Sequence, residues 1–347
     1  MHMADALISP AVGGAMWAAT AVTTVYCAKK IREENDLSRI PLMGVAGAFI
    51  FAAQMLNFTI PGTGSSGHLG GGLILAVLLG PEAAFLVMAS VLTVQALFFA
   101  DGGLLALGAN VMNLGFLTAF IAYPLVYKPI VGKNPTRGRI VVGSMLAAIV
   151  GLQLGALGVV LETTLSGISE LPFSAFVLLM QPIHLAIGAV EGIVTAAVIL
   201  FVRQAQPELL QRRAEGVKLT GVNLKPVLIG LAVAAIMAGA VFSWFASTNS
   251  DGLEWSIAKV SGSSELESKD PVHATLTRIQ ESTAFLPGYG FKDGARPESG
   301  EAESTSSWPT VDAGTSSSGL IGGVIVLALA GGVGWALKRR SDSRSDG

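Results

Sequence analysis

A histidine at position two has a chelating capacity that an internal histidine lacks. In Met1-His2-Met3 the free α-amine of Met1, the backbone nitrogen of His2 and its Nδ1 can all bind one cation, closing two fused chelate rings. A late first-row divalent ion, Ni²⁺ or Cu²⁺ most readily, drives ionisation of that amide nitrogen and accepts the tetragonal geometry that results. One planar position stays open. His68, inside the glycine-rich stretch Pro61-Gly-Thr-Gly-Ser-Ser-Gly-His68-Leu-Gly-Gly-Gly72, is the candidate to fill it. The competing reading takes His2 as an accident of the terminus and His68 as a loop residue that caps a helix.

The elements that must position these groups are apolar. Half of the 347 residues are hydrophobic and only 13% are charged, against about 25% in a soluble domain, so most of the chain is expected in lipid. The net charge of −2 says little about partners, and no nucleic-acid partner is expected. A single cysteine, Cys27, excludes an intrachain disulfide framework and a Cys-based zinc cluster. No secretory signal is expected, because the first apolar run has no basic residue before Lys29.

Apolar runs of spanning length, about 17–25 residues, read as transmembrane helices. They cover residues 11–28, 40–60, 82–99, 106–127, 140–161, 183–202, 226–245 and 319–337, with a half-length helix over 69–79 broken at Gly80-Pro81. The stretch 173–180 is expected to lie at the interface or dip into the protein. The fold class is therefore all-α: an integral membrane protein with a seven-helix bundle followed by two C-terminal transmembrane helices. With the N-terminus outside, four inside segments hold 17 of the 22 Lys and Arg residues, and the other five lie in the loop 246–318 with eleven Asp and Glu. That positive-inside pattern places Met1, His2 and His68 on one outer side.

The division expected is a metal-binding bundle over 1–205, a basic cytoplasmic linker over 206–225 and a two-helix region over 226–347. Its outer loop, 246–318, is acidic and rich in Ser, Gly and Pro, so partial disorder is expected there. The ordered exception is Asp251-Gly-Leu-Glu-Trp-Ser256, and His273 reads as a solvated residue. Asp101-Gly-Gly103 reads as a second outer loop, a lid for the site. Asn57, Thr63, Ser65 and Ser66 are candidates to bond the second ring nitrogen of a ligating histidine; alternatively they satisfy loop backbone. His184 and Glu191 share one helix face. Either they serve the site, or they tie that helix to its neighbours.

These residues carry a resemblance. Met1-His2-Met3-Ala-Asp-Ala-Leu-Ile-Ser-Pro10, the His68 loop and Gln181-Pro-Ile-His184 through Glu191-Gly192 resemble the CbiM/NikM family, the cobalt/nickel substrate-binding component of energy-coupling-factor ABC transporters. The resemblance covers residues 1–205. The tail, with Asp251-Gly-Leu-Glu-Trp between two spans, resembles the small companion subunit CbiN/NikN, here fused. It implies a helical bundle whose free terminus tucks in to bind Ni²⁺ or Co²⁺, with ligands at Met1, His2 and His68. It also implies a transmembrane coupling protein and two ATPase subunits as partners. The setting it implies is the cytoplasmic (inner) membrane of a bacterium or archaeon, crossed many times, with the C-terminus inside. The supply would serve cobalamin biosynthesis or nickel enzymes.

The chain supports a separate motor. It has no Gly-x-x-x-x-Gly-Lys-Ser/Thr phosphate loop, so no ATP site and no enzymatic activity of its own are expected. The rival reading is a rhomboid-like intramembrane serine protease, with Ser66 as nucleophile and His184 as base. Against it, no His-x-x-x-Asn oxyanion motif exists in the chain, and His2 and the tail would go unexplained.

Overall fold

The computed structural model describes the chain except residues 1, 35, 37, 170, 264, 265, 267–269, 293–308 and 346–347. Among the described residues six helices are long and apolar enough to cross a membrane: α1 (Pro10–Glu34), α4 (Pro81–Phe99), α5 (Leu107–Val131), α6 (Arg137–Ser166), α7 (Phe173–Ala205) and α12, whose apolar part is Ala313–Lys338. Two shorter apolar helices join them, α2 (Arg39–Gln54) and α9 (Lys225–Ala240). Between α2 and α4 lie a two-stranded antiparallel hairpin, β1 (Phe58–Ile60) and β2 (Ser65–Gly67), and the half-length α3 (Gly72–Leu79). The polar helices are α8 (Pro207–Glu215) in the linker, and α10 (Gly252–Ser261) and α11 (Pro271–Thr283) in the long loop.

Small residues let the long helices meet at backbone distance, which matters where lipid offers no hydrophobic drive for association. α6 and α7 cross with Gly188 and Gly192 facing Ile149 and Met145. A Cβ at Gly192 would fall 2.7 Å from the Met145 Cα. The tail uses the same device: Gly239 of α9 meets Gly319 of α12 within it, and Gly322 of α12 admits the Phe51 ring of α2, which binds the tail to the bundle. In α1, Gly13 packs on Leu105 and Trp17 covers Gly108, while Gly14 has nothing nearby.

Several expectations change. The stretch 173–180 does not form a separate dip but opens the continuous helix α7, which runs on through Pro182; a proline inside a membrane helix is tolerated where its surroundings satisfy the backbone. The second span stops at Gln54 rather than residue 60, and the next residues pair as the hairpin. The loop 246–318 contains two capped helices. Asp251 accepts from the N–H groups of Leu253 and Glu254 in a capping box, and Asp270 caps α11. Residues 293–308 of that loop lie outside the described set.

Gly192→Leu should therefore separate α6 from α7 and cost about 1–3 kcal/mol through overpacking. Thermal unfolding in detergent should show a clear loss for it and little change for Gly14→Ala.

Candidate metal centre

Met1 lies outside the described residues, so the site is built from residue 2 onward. Met3 is fully buried, and its backbone is held from both sides. Its N–H donates to Asn110 Oδ1 at 2.8 Å, and its carbonyl accepts from Asn110 Nδ2 at 3.2 Å and from the Gly103 N–H at 2.8 Å. Asp5 accepts the Ala106 N–H at 3.0 Å. The lid expected at 101–103 folds onto this segment. A Cβ at Gly103 would lie 1.8 Å from Asp5 Oδ1, so only glycine allows the approach.

His2 and His68 come together. Their rings stack with centroids 5.0 Å apart and planes 22° from parallel. His2 Nδ1, the atom the chelate needs, pairs with Asp101 Oδ1 at 2.8 Å, and its Nε2 is buried without a partner. Asp101 is aimed by Ala100, which ends α4 in the left-handed conformation (φ 53°). Its other oxygen accepts the Tyr289 hydroxyl at 2.5 Å. Burial alone would raise the Asp101 carboxyl, but the His2 ring and these bonds hold it well below the usual range. His68 Nδ1 pairs with the Leu69 carbonyl at 3.0 Å, which fixes the proton on Nδ1 and puts the lone pair on Nε2. Burial pushes its imidazole down to about 3, so it is neutral and able to ligate at any ordinary pH. For chelation through Nδ1 the His2 ring has to leave Asp101, whose charge then remains paired with Tyr289.

The glycine loop is irregular backbone inside the bundle, and buried side chains satisfy it. Glu191 accepts the N–H groups of Gly70 and Gly71 at 2.7 and 3.0 Å. Gln54 donates to the Gly70 carbonyl at 2.8 Å, and Gln95 donates to Gln54 at 2.8 Å. A Cβ on Gly67 would collide with Ile187 and one on Gly72 with the Leu114 carbonyl. Of the polar residues proposed around the ligands, Thr63 binds the Ile60 carbonyl and the Ser65 N–H, and Ser65 donates to the Ser66 carbonyl. The Asn57 carbonyl accepts from Ser247, and Ser66 Oγ donates to the Asn249 carbonyl at 2.8 Å. His184 Nδ1 pairs with its own helix at Met180, while Nε2 is buried with no partner. His184 and His68 line a space of about 10 Å³ with Asp251, enough for one water or a bare ion. Ser66 and His184 thus have separate partners, the Asn249 carbonyl and the Met180 carbonyl.

The tail covers this end of the bundle. Ser66 bridges to Asp251 in parallel β fashion, with its N–H on the Ser250 carbonyl at 2.8 Å. His273 is not solvated: it is 3% exposed, and its Nε2 lies 2.9 Å from the carbonyls of both Asp5 and Ile8. The Asp5 carbonyl also accepts the Ile8 N–H at 3.1 Å, and the ring is drawn inward to bond it together with the Ile8 carbonyl. Gln280 donates to the carbonyls of Ala96 and Gly102. Between these tail helices and the N-terminal segment lies a cavity of about 790 Å³, reached by His2, Asp101, Asp251 and Glu254.

Sequence reasoning missed Asn110, Gln54 and Gln95, although a lone amide in an apolar span is a signal. It missed Tyr289 and Gln280, which no local pattern marks. Among the described residues no group of three His, Cys, Asp or Glu side chains converges as a metal cage.

Residues 2–209 match the family described as the cobalt uptake substrate-specific transmembrane region, CbiM, and residues 225–339 match the PDGLE domain. A relative from Archaeoglobus fulgidus, provisionally named a fused nickel transport protein, NikMN, is 33% identical over 98% of both chains. The fused nickel transport protein NikMN of Rhodobacter capsulatus is 33% identical, covering 61% of this chain and 65% of its own. The cobalt transport protein CbiM of Sorangium cellulosum is 31% identical over 61% and 95%. A crystal structure of a transition metal transporter superposes with a TM-score of 0.53 at 29% identity, over 61% of this chain and 97% of that one. The chain belongs to the CbiM family of cobalt- and nickel-uptake membrane proteins, with a CbiN-like PDGLE domain fused at its C-terminal end.

Proposed function

We propose that this multi-pass membrane protein captures Ni²⁺ or Co²⁺ at the outer face of a bacterial or archaeal cytoplasmic membrane. It would be the substrate-specific component of an energy-coupling-factor uptake transporter, with a coupling protein and two ATPase subunits as the motor. The ion is substrate, not cofactor. The observation that carries the reading is the stack of His2 on a neutral His68 beside a buried amino-terminal segment. Residues 1–205 would hold the ion through the Met1 amine, the His2 amide and ring, and His68. Residues 206–225 would link them on the inner side to the tail, 226–347, whose loop covers the site. Orientation rests on the basic segments, which all lie on one side in this arrangement. A planar four-nitrogen set favours Ni²⁺, which also stands above Co²⁺ in general affinity order.

His68→Ala should lower metal affinity at least about 10–100-fold, the cost already seen for losing a supporting partner of a ligand. Glu191→Gln should lose part of that factor without touching a ligand, because an amide cannot accept from both Gly70 and Gly71 as the carboxylate does. Ser66→Ala should leave uptake nearly intact. Equal uptake in wild type and His68→Ala would remove His68 from the ligand set.

A second test addresses the terminus. One added residue, or a retained formyl group, converts the amine into an amide and shifts the chelate register. The protein should insert and fold as before, yet fail to bind Ni²⁺ or Co²⁺ in equilibrium dialysis. Normal uptake by a protein shown to carry an uncleaved N-terminal tag would end this reading.

A further inference from the structure

The feature that metal capture leaves unused lies at the opposite end of the bundle. Asn110, which holds Met3, sits in the first turn of α5, whereas Lys128 sits in the last. There a cavity of about 140 Å³ opens between the end of α5, the end of α3 and the linker helix α8. Lys128, Lys133 and Arg213 line it together with Tyr123 and Tyr127, and no Asp or Glu is among its lining residues.

One of the cations, Arg213, is built into the fold. Arg213 Nη2 donates to the Leu79 carbonyl at 2.6 Å, where the chain breaks at Gly80. Gly80 has φ 83°, and a Cβ there would lie 2.2 Å from that nitrogen, so the break makes room for the guanidinium. Arg213 Nε is buried without a partner. Burial, with Arg39 nearby, pushes this guanidinium down to about 10, the behaviour of a cation short of a counter-charge. Two carboxylates act on it through space: Glu34, which pairs with Arg39 at 2.5 Å, and Asp36, whose Oδ2 accepts the Leu219 N–H at 2.8 Å while its Oδ1 is buried without a hydrogen bond. Glu82 is the other acid near the cluster, on the Tyr123 side. Lys128 is steadied over the Tyr123 ring at 5.4 Å. Helix α8 turns Leu209 and Leu210 inward and Glu208 and Glu215 outward, as a helix lying along a membrane surface does, and Arg213 reaches from it into the cavity.

We infer that this cavity binds a phosphate group, either the headgroup of an anionic phospholipid or inorganic phosphate. Guanidinium and ammonium donors around one compact anion make charge-assisted bonds, and basic pockets between membrane helices suit anionic headgroups. The volume decides the class of ligand. It admits a phosphate and a few adjoining atoms, whereas drug-sized ligands need about 300 Å³ or more.

The test uses the full chain in three kinds of nanodisc: phosphatidylcholine alone, phosphatidylcholine with phosphatidylglycerol, and phosphatidylcholine with added inorganic phosphate. Native mass spectrometry counts retained phosphatidylglycerol, and the unfolding temperature reports phosphate binding. Lys128→Gln/Lys133→Gln removes two exposed cavity cations without touching packing. Arg137→Gln/Lys218→Gln removes equal charge elsewhere. The expected result is tight retention in wild type and in the second variant, with about a tenfold fall or more in the first, the factor carried by one charge-assisted contact. If phosphate instead raises the unfolding temperature of wild type but not of the cavity variant, the same site takes the free anion. If the cavity variant keeps phosphatidylglycerol and answers phosphate as wild type does, the inference is wrong. That pattern is also the one expected if the cavity serves an acidic protein segment.

Discussion

Irregular backbone inside a membrane bundle must have every N–H and C=O satisfied by protein, and the site hangs on how this chain meets that constraint. The glycine loop that carries His68 leaves its helix partners and enters the bundle as bare backbone. Glu191 takes the N–H groups of Gly70 and Gly71, and Gln54, backed by Gln95, takes the Gly70 carbonyl. Without these side chains the loop would either refold or admit water. With them, His68 is held at one height against the amino-terminal segment.

The second arm of the site is fixed in the same currency of backbone satisfaction. Asn110 and Gly103 bond the Met3 backbone while the Met3 side chain fills the core. The segment at residues 2–3 is thereby held inside the protein. The tail adds a third layer. Ser66 bridges to residues 250–251, His273 caps two carbonyls behind residues 5–8, and Tyr289 holds Asp101. The fused domain is thus part of the wall around His2, not an appendage beside it. Any opening of the site on this side has to break those contacts.

Much of the fold was legible because apolar length and Gly-Pro breaks act locally. The spans, the half-length helix before Gly80-Pro81 and the helix at Asp251-Gly-Leu-Glu follow from short-range rules. The pairing of His2 with His68 was legible for a chemical reason: position two and a glycine loop are each unusual. The supporting groups were not. Gln54, Gln95 and Asn110 act through backbone that is distant in sequence, and hydrophobic periodicity assigns them only to helix faces. His273 failed for the opposite reason. Its neighbours are polar and acidic, so composition suggested solvent, whereas two carbonyls of the N-terminal segment supply the burial. Tyr289, in a left-handed conformation (φ 63°), is likewise set by the Asp101 contact and not by its neighbours.

The central claim is that one ion is held by terminal amine, ionised amide and two imidazoles, with the His2 ring released from Asp101. Nickel K-edge absorption on the untagged, nickel-loaded protein tests it most directly. The account predicts a four-coordinate, planar, nitrogen-only spectrum with a strong pre-edge shoulder and multiple-scattering from imidazole. A six-coordinate spectrum with oxygen neighbours would contradict it, because an amide-bound planar chelate leaves no place for them.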